Sequence, residues 1–131
     1  MRKKIIKQCL KIARYKNAPD YHPQWGFFHH FSFIIQNNKI VEYGFNRSGP
    51  PLDGFGYNKK FGKIHSENDA YRKAKGLLDP QRPFDIVNIR LNKQGEMRLS
   101  KPCNCCHNFL SVVNCHSVYF STKIGFAKIN L

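Results

Sequence analysis

The sequence predicts an α/β fold, with a mixed sheet of four to five strands and helices packed on it. Two observations carry this. Apolar residues recur at helical spacing over residues 2–16, 65–78 and 102–113. Short apolar or alternating runs at 29–36, 39–45, 84–91, 117–121 and 126–131 read as strands. A third observation bounds the answer: 131 residues suit one domain, spanning 1–131, and no repeat or composition break divides them.

The elements follow in order. In residues 2–16, Ile5, Ile6, Cys9, Leu10, Ile12 and Ala13 form an apolar face, and Lys4, Lys7, Lys11 and Arg14 form a basic stripe opposite. Residues 17–28 read as a loop rich in aromatics, including Tyr21, His22, Trp25 and Phe27. Two strands follow, joined by Asn37-Asn38, a pair that tolerates the positive φ of a tight hairpin turn. Residues 47–64 read as a long loop, with glycines, Pro50-Pro51, and Arg47, Lys59, Lys60 and Lys63 interleaved with Phe55, Tyr57 and Phe61. A helix is expected from His65 to Leu78, with Ala70, Ala74 and Leu77 facing inward and Asp79-Pro80 ending it. Phe84 to Leu91 is apolar enough for the sheet centre, and Asn92 to Glu96 is a polar turn. The last helix is expected over Pro102 to Val113, because proline suits a first helical position. Strands at Ser117–Ser121 and Phe126–Leu131 complete the chain, joined through residues 122–125.

Composition points to a partner. Lys and Arg number 22 against 8 Asp and Glu, a net charge of +14, which favours a polyanion, most simply single-stranded DNA or RNA or a nucleotide. Hydrophobic content is a modest 41%, but 14% aromatic residues argue against disorder. The 5 cysteines are an odd number clustered about one motif, so they suggest metal binding in a reducing compartment rather than a disulfide framework. No segment is long and apolar enough to span a membrane, and the basic start is interrupted by Lys7 and Lys11, so the expected setting is intracellular and cytoplasmic, away from membranes.

The chemistry concentrates in two stretches, His65-Ser66-Glu67 and Pro102-Cys103-Asn104-Cys105-Cys106. Alone, C-x-x-C could be half a zinc ribbon or a redox pair. A ribbon needs a second pair, which Cys9 and Cys115 do not form, and a redox motif leaves the histidine and glutamate unexplained. One imidazole and two thiolates, from His65, Cys103 and Cys106, supply three ligands for Zn²⁺ and leave a fourth tetrahedral position open, as in catalytic sites. Zinc lowers the pKa of a water in that position, and Glu67, two residues beyond the ligand, is free to move protons. Cys105 lies between the ligands and is expected to point away.

H-x-E followed by P-C-x-x-C is the signature of zinc nucleobase deaminases. On these residues the chain resembles the cytidine deaminase superfamily, which includes deoxycytidylate deaminases, tRNA adenosine deaminases and AID/APOBEC-type polynucleotide cytosine deaminases. The resemblance implies a three-layer fold with helices on both sheet faces. It implies that His65, Cys103 and Cys106 bind zinc, and that Glu67 is the catalytic proton shuttle in hydrolytic deamination. Through the Gly44-Phe45-Asn46 motif it gives Asn46 a contact with the substrate sugar. Tyr21 and His22, in a loop that borders the active-site mouth of related polynucleotide deaminases, and Arg47 and Tyr57, in a loop whose interleaved cations and rings have the composition of a single-strand binding rim, are the further candidates for substrate binding. Free-nucleoside cytidine deaminases usually carry cysteine at the position of His65, which disfavours free cytidine. Cytosine in a single-stranded polynucleotide is the leading substrate. A free deoxycytidylate, an adenosine in tRNA, or non-catalytic zinc-dependent binding of nucleic acid are the alternatives. Asp69 stands where deoxycytidylate deaminases typically have asparagine.

Overall fold

The computed structural model of the chain describes residues 3–20, 28–48, 57–58 and 63–131. Its sheet is built around β6 (Phe84–Asn92), whose alternate residues are buried on both faces. β1 (Phe28–Gln36) pairs with one side of β6 antiparallel, and β8 (Cys115–Thr122) pairs with the other side parallel. β2 (Lys39–Phe45) and β9 (Gly125–Asn130) form the edges, giving the order β2-β1-β6-β8-β9. A parallel pair needs a crossover, and α3 (Asn104–Val112) supplies it between β6 and β8. A two-residue strand, β7 (Met97–Arg98), adds to the far end of β6 and makes six strands, one more than the expected four to five.

Helices cover both faces, as expected of three layers. α1 (Lys3–Asp20) buries Ile5, Cys9 and Ala13 against Phe31, Phe33, Ile35, Val87, Ile89 and Leu91. Its Lys4, Lys7, Lys11 and Arg14 stay exposed. The opposite face, with Ile34, Phe84, Ile86 and Val118, packs on Ala70 and Ala74 of α2 (Ser66–Ala74) and on Phe109 and Leu110 of α3. Odd positions of β1 and β6 therefore face α1, and even positions face the two shorter helices. That parity places Ser32 and Asn88 under α2.

Several boundaries differ from expectation for local reasons. α1 runs to Asp20 instead of ending at residue 16, and the buried Asn17 amide ties the added turn to the Asn92 carbonyl at 3.1 Å. The Asn37-Asn38 turn has φ of 55° and 58°, as the hairpin requires. The 47–64 segment is not loop throughout: β3 (Arg47–Ser48), β4 (Tyr57–Asn58) and β5 (Lys63–Ile64) make a small sheet in the order β3-β5-β4. α2 ends at Ala74 and closes through tight turns from Leu77 and Leu78 N–H to the Ala74 carbonyl, because Gly76 is a poor helix former. Leu77, expected inside, is therefore 65% exposed. No helix among the described residues is long and apolar enough to cross a membrane.

Candidate metal and proton-transfer centre

Both sequence stretches form helix starts: α2 opens on Ser66, one residue after the expected His65, and α3 on Asn104, two residues after the expected Pro102. His65 is the N-cap of α2, in extended conformation with φ −73° and ψ 152°. Cys103 is the N-cap of α3, with φ −69° and ψ 167°, and its Sγ accepts from the Cys106 N–H at 3.5 Å. For α3 the shift has a physical reason, since a sulfur accepting at the cap uses one of the helix's unpaired N–H groups; His65 makes no side-chain cap hydrogen bond. Pro102 precedes the cap. The positive ends of two helix dipoles thus meet at one place, where they favour thiolate.

β5 carries the chain into His65. A hydrogen bond from Ser100 N–H to the Ser121 carbonyl at 3.0 Å holds the segment before Cys103 against β8. The result is three donor atoms in one cluster. His65 Nδ1 is 3.3 Å from Cys106 Sγ and 3.6 Å from Cys103 Sγ, and all three ligand atoms lie within 4.8 Å of one another. Zinc at about 2.3 Å from sulfur and about 2.0 Å from nitrogen, at tetrahedral angles, requires N···S edges of about 3.5 Å. The residues present therefore fit the metal. Cys106 is buried, His65 half-buried and Cys103 exposed, so the cluster is open on one side. Cys105 is exposed, and it is not part of the cluster.

The charges suit a cation. Hydrogen bonds from Cys106 and His65 hold the Cys103 thiol down at about 3. Cys106, which donates to that thiolate and is buried, is pushed up. The hydrogen bond to Cys103 raises His65 against the opposing effect of burial. A bound dication reverses this order for the histidine and for Cys106, ionising the second thiol and taking the neutral imidazole as ligand.

Glu67 is 6% exposed, and burial raises its pKa, with His65 and Cys103 close enough to act on it. Its Oε2 accepts from Asn88 Nδ2 at 3.2 Å. Ser66 Oγ lies 3.1 Å from Glu67 Oε1 and 2.7 Å from Ser32 Oγ, while Ser32 donates to Asn88 Oδ1 at 2.6 Å. Ser66 has one hydroxyl proton for two neighbours, and the Ser32 proton is already committed. The ring is fully bonded only with a proton on Glu67, and with Glu67 ionised the Ser66 proton turns to it. This arrangement suits a carboxyl group that alternately holds and releases a proton.

The remaining site candidates are placed unevenly. Asn46 Oδ1 accepts from the His30 N–H at 2.9 Å, and its own N–H donates to the His30 carbonyl at 3.2 Å, so the residue extends the β1–β2 pairing. The backbones of Arg47 and Tyr57 both register against Ile64, one residue before His65. Tyr21 and His22 lie outside the described residues. Ser32, Asn88 and Asp69 were missed as site residues. Asp69, fully buried, accepts from the Phe45 N–H at 3.1 Å and from Lys73 at 3.1 Å, fixing the end of β2 just before Asn46. For Ser32 and Asn88 the available signal was a polar residue inside a largely apolar strand; Asp69, which follows the polar residues 65–68, offered no such signal.

No family model matches the chain, and no curated protein matches it. Solved structures do. The chain is similar to a cytidine deaminase from Burkholderia pseudomallei, with a TM-score of 0.66 and 18% identity over 99% of this chain and 93% of that one. It is similar to dCMP deaminase from the cyanophage S-TIM5, with a TM-score of 0.61 and 16% identity over 92% of this chain and 84% of that one. The same phage enzyme in complex with dCMP and dUMP gives a TM-score of 0.58 at 13% identity, over 92% of this chain and 82% of that one. The fold is thus the cytidine deaminase fold, and the particular neighbours are a cytidine and a dCMP deaminase.

Proposed function

We propose that the protein is a zinc-dependent hydrolytic deaminase that converts cytosine to uracil in a phosphate-bearing substrate. The observation that carries this is the His65, Cys103 and Cys106 cluster at two helix N-termini, with a buried and hydrogen-bonded Glu67 beside it. His65 Nδ1 and the two Sγ atoms would hold the zinc. Zinc there supplies a water of lowered pKa at an open coordination position. Glu67 takes a proton from that water as it attacks the ring carbon bearing the amine. It passes that proton to the ring nitrogen, then takes the second proton from the newly added hydroxyl and delivers it to the amine, which leaves as ammonia while the oxygen becomes the uracil carbonyl. Asn46 contacts the sugar, and Tyr21, His22, Arg47 and Tyr57 contact base and phosphate.

Single-stranded DNA or RNA is the first substrate, supported by a net charge of +14. Free dCMP is the second reading, supported by the similarity to an enzyme with dCMP and dUMP bound. Conversion is measured on single-stranded DNA, RNA, dCMP and CMP in parallel, over a range of salt. A polynucleotide editor converts the strands, and its binding weakens steeply with salt as counterions are released. A nucleotide enzyme converts dCMP and shows a shallow salt dependence. Conversion of none of the four would refute the cytosine deaminase reading.

A further inference from the structure

Three buried polar side chains, Ser32, Ser66 and Asn88, connect the sheet to the carboxyl group of Glu67. Ser32 is 0%, Ser66 3%, Asn88 3% and Glu67 6% exposed. Ser32 and Asn88 are cross-strand partners on β1 and β6, on the face under α2, and their strands are otherwise rich in apolar residues. Buried polar groups are costly unless paired, so an apolar pair would serve packing alone at least as well. The set also has a direction. A carboxylate only accepts, so the end of the Asn88 amide that faces Glu67 is Nδ2. Oδ1 then faces Ser32, which must donate. The backbone closes the set: Asn88 Nδ2 also donates to the Ser100 carbonyl at 3.3 Å, and Ser100 Oγ donates to the Asn88 carbonyl at 2.8 Å.

We propose that Ser32 and Asn88 are positioning residues for the deamination, holding the Glu67 carboxyl group in its working orientation; this rests on the deaminase reading above. Asn88 grips Oε2 directly. Ser32 supplies the donor that Asn88 Oδ1 needs, and so reinforces the amide sense that the Glu67 and Ser100 acceptors set at Nδ2. Neither residue belongs to the His65, Cys103 and Cys106 cluster, and both reach the site through Glu67. Ser100 links this grip to the segment that delivers Cys103, so the carboxyl group and the thiolates share one support.

The test uses the zinc-loaded full chain with Ser32→Ala, Asn88→Asp and the double variant Asn88→Asp/Glu67→Gln. Supporting residues of this kind typically contribute about 10- to 100-fold. Ser32→Ala is expected to lose that much in kcat, with KM and zinc content as in the wild type. Asn88→Asp sets two carboxyl groups against each other and lowers Tm. Adding Glu67→Gln restores a donor–acceptor pair with the roles exchanged, so Tm recovers although turnover does not. Wild-type kcat in Ser32→Ala, or a loss that follows zinc content or KM, would overturn the proposal. So would a double variant no more stable than Asn88→Asp. A wild-type chain that converts no cytosine would instead remove the deaminase reading, and with it the positioning role, while the thermal comparison still decides whether Asn88 grips Glu67.

Discussion

Cys103 and Cys9 are both cysteines, yet their surroundings give them opposite chemistry. Cys103 is exposed and held down at about 3 by hydrogen bonds from Cys106 and His65. Zinc-stripped protein is therefore expected to alkylate at Cys103 even in mild acid, and zinc is expected to block the reaction; peptide mapping after iodoacetamide checks both. Cys9 and Cys115 are buried, and burial pushes each from 9.0 up to about 12. Above pH 9 their unfolded thiols ionise while the native ones stay protonated. The native state then binds more protons, and stability falls as pH rises from about 9 to about 12, by about 1.4 kcal/mol per pH unit for each thiol. Urea unfolding at pH 8 and pH 10 is expected to show a shallower fall for Cys9→Ala than for the wild type. At this scale the cluster of His65, Cys103 and Cys106 beside Glu67 was legible because the proposed chemistry demands those residue types at that spacing. Ser32 and Asn88 were not, because a single serine or asparagine in a strand acquires meaning only when another strand and a helix bring it a partner.

Elements were legible where periodicity is strong and blurred where capping or tertiary contact decides. The hairpin, β6 and the crossover helix follow directly from apolar pattern and turn residues. The starts of α2 and α3 were placed early because a histidine and a cysteine are not the usual N-cap residues, and the Cys103 cap uses sulfur. Residues 47–64 lack an apolar pattern, so the pairing of β5 with β3 and β4 was invisible until the chain folded. One close approach sets how α2 sits on β2. A Cβ added at Gly44 would lie 2.3 Å from Ala70 N, a backbone atom that cannot swing aside. Gly44→Ala is expected to destabilise the fold by about 1–3 kcal/mol or more. It is also expected to weaken zinc binding, since α2 carries His65 at its cap. Chemical denaturation and zinc titration of the variant measure the two effects together.

For the whole molecule, the order of helices and strands was legible, but the sheet order was not. β1 and β8 flank β6 although neither precedes or follows it directly, a pairing set by long-range burial that local pattern does not encode. The candidate metal cluster sits where α2 and α3 begin, so it joins both helices of one layer. Zinc is therefore expected to stabilise the entire fold. At a free concentration of about 1,000 times Kd, linkage contributes about 4 kcal/mol, or a Tm increase on the order of 10 °C. Calorimetry with and without a chelator measures it.

The central claim is that zinc held by His65, Cys103 and Cys106, together with Glu67, deaminates cytosine. The most direct measurement is mass spectrometry of cytosine-containing single-stranded DNA and dCMP after incubation with zinc-loaded protein, beside Glu67→Gln of equal zinc content. Uracil is expected with the wild type, and a loss of about 10²- to 10⁴-fold with Glu67→Gln. Uracil formed equally by both proteins, or by neither, would contradict it.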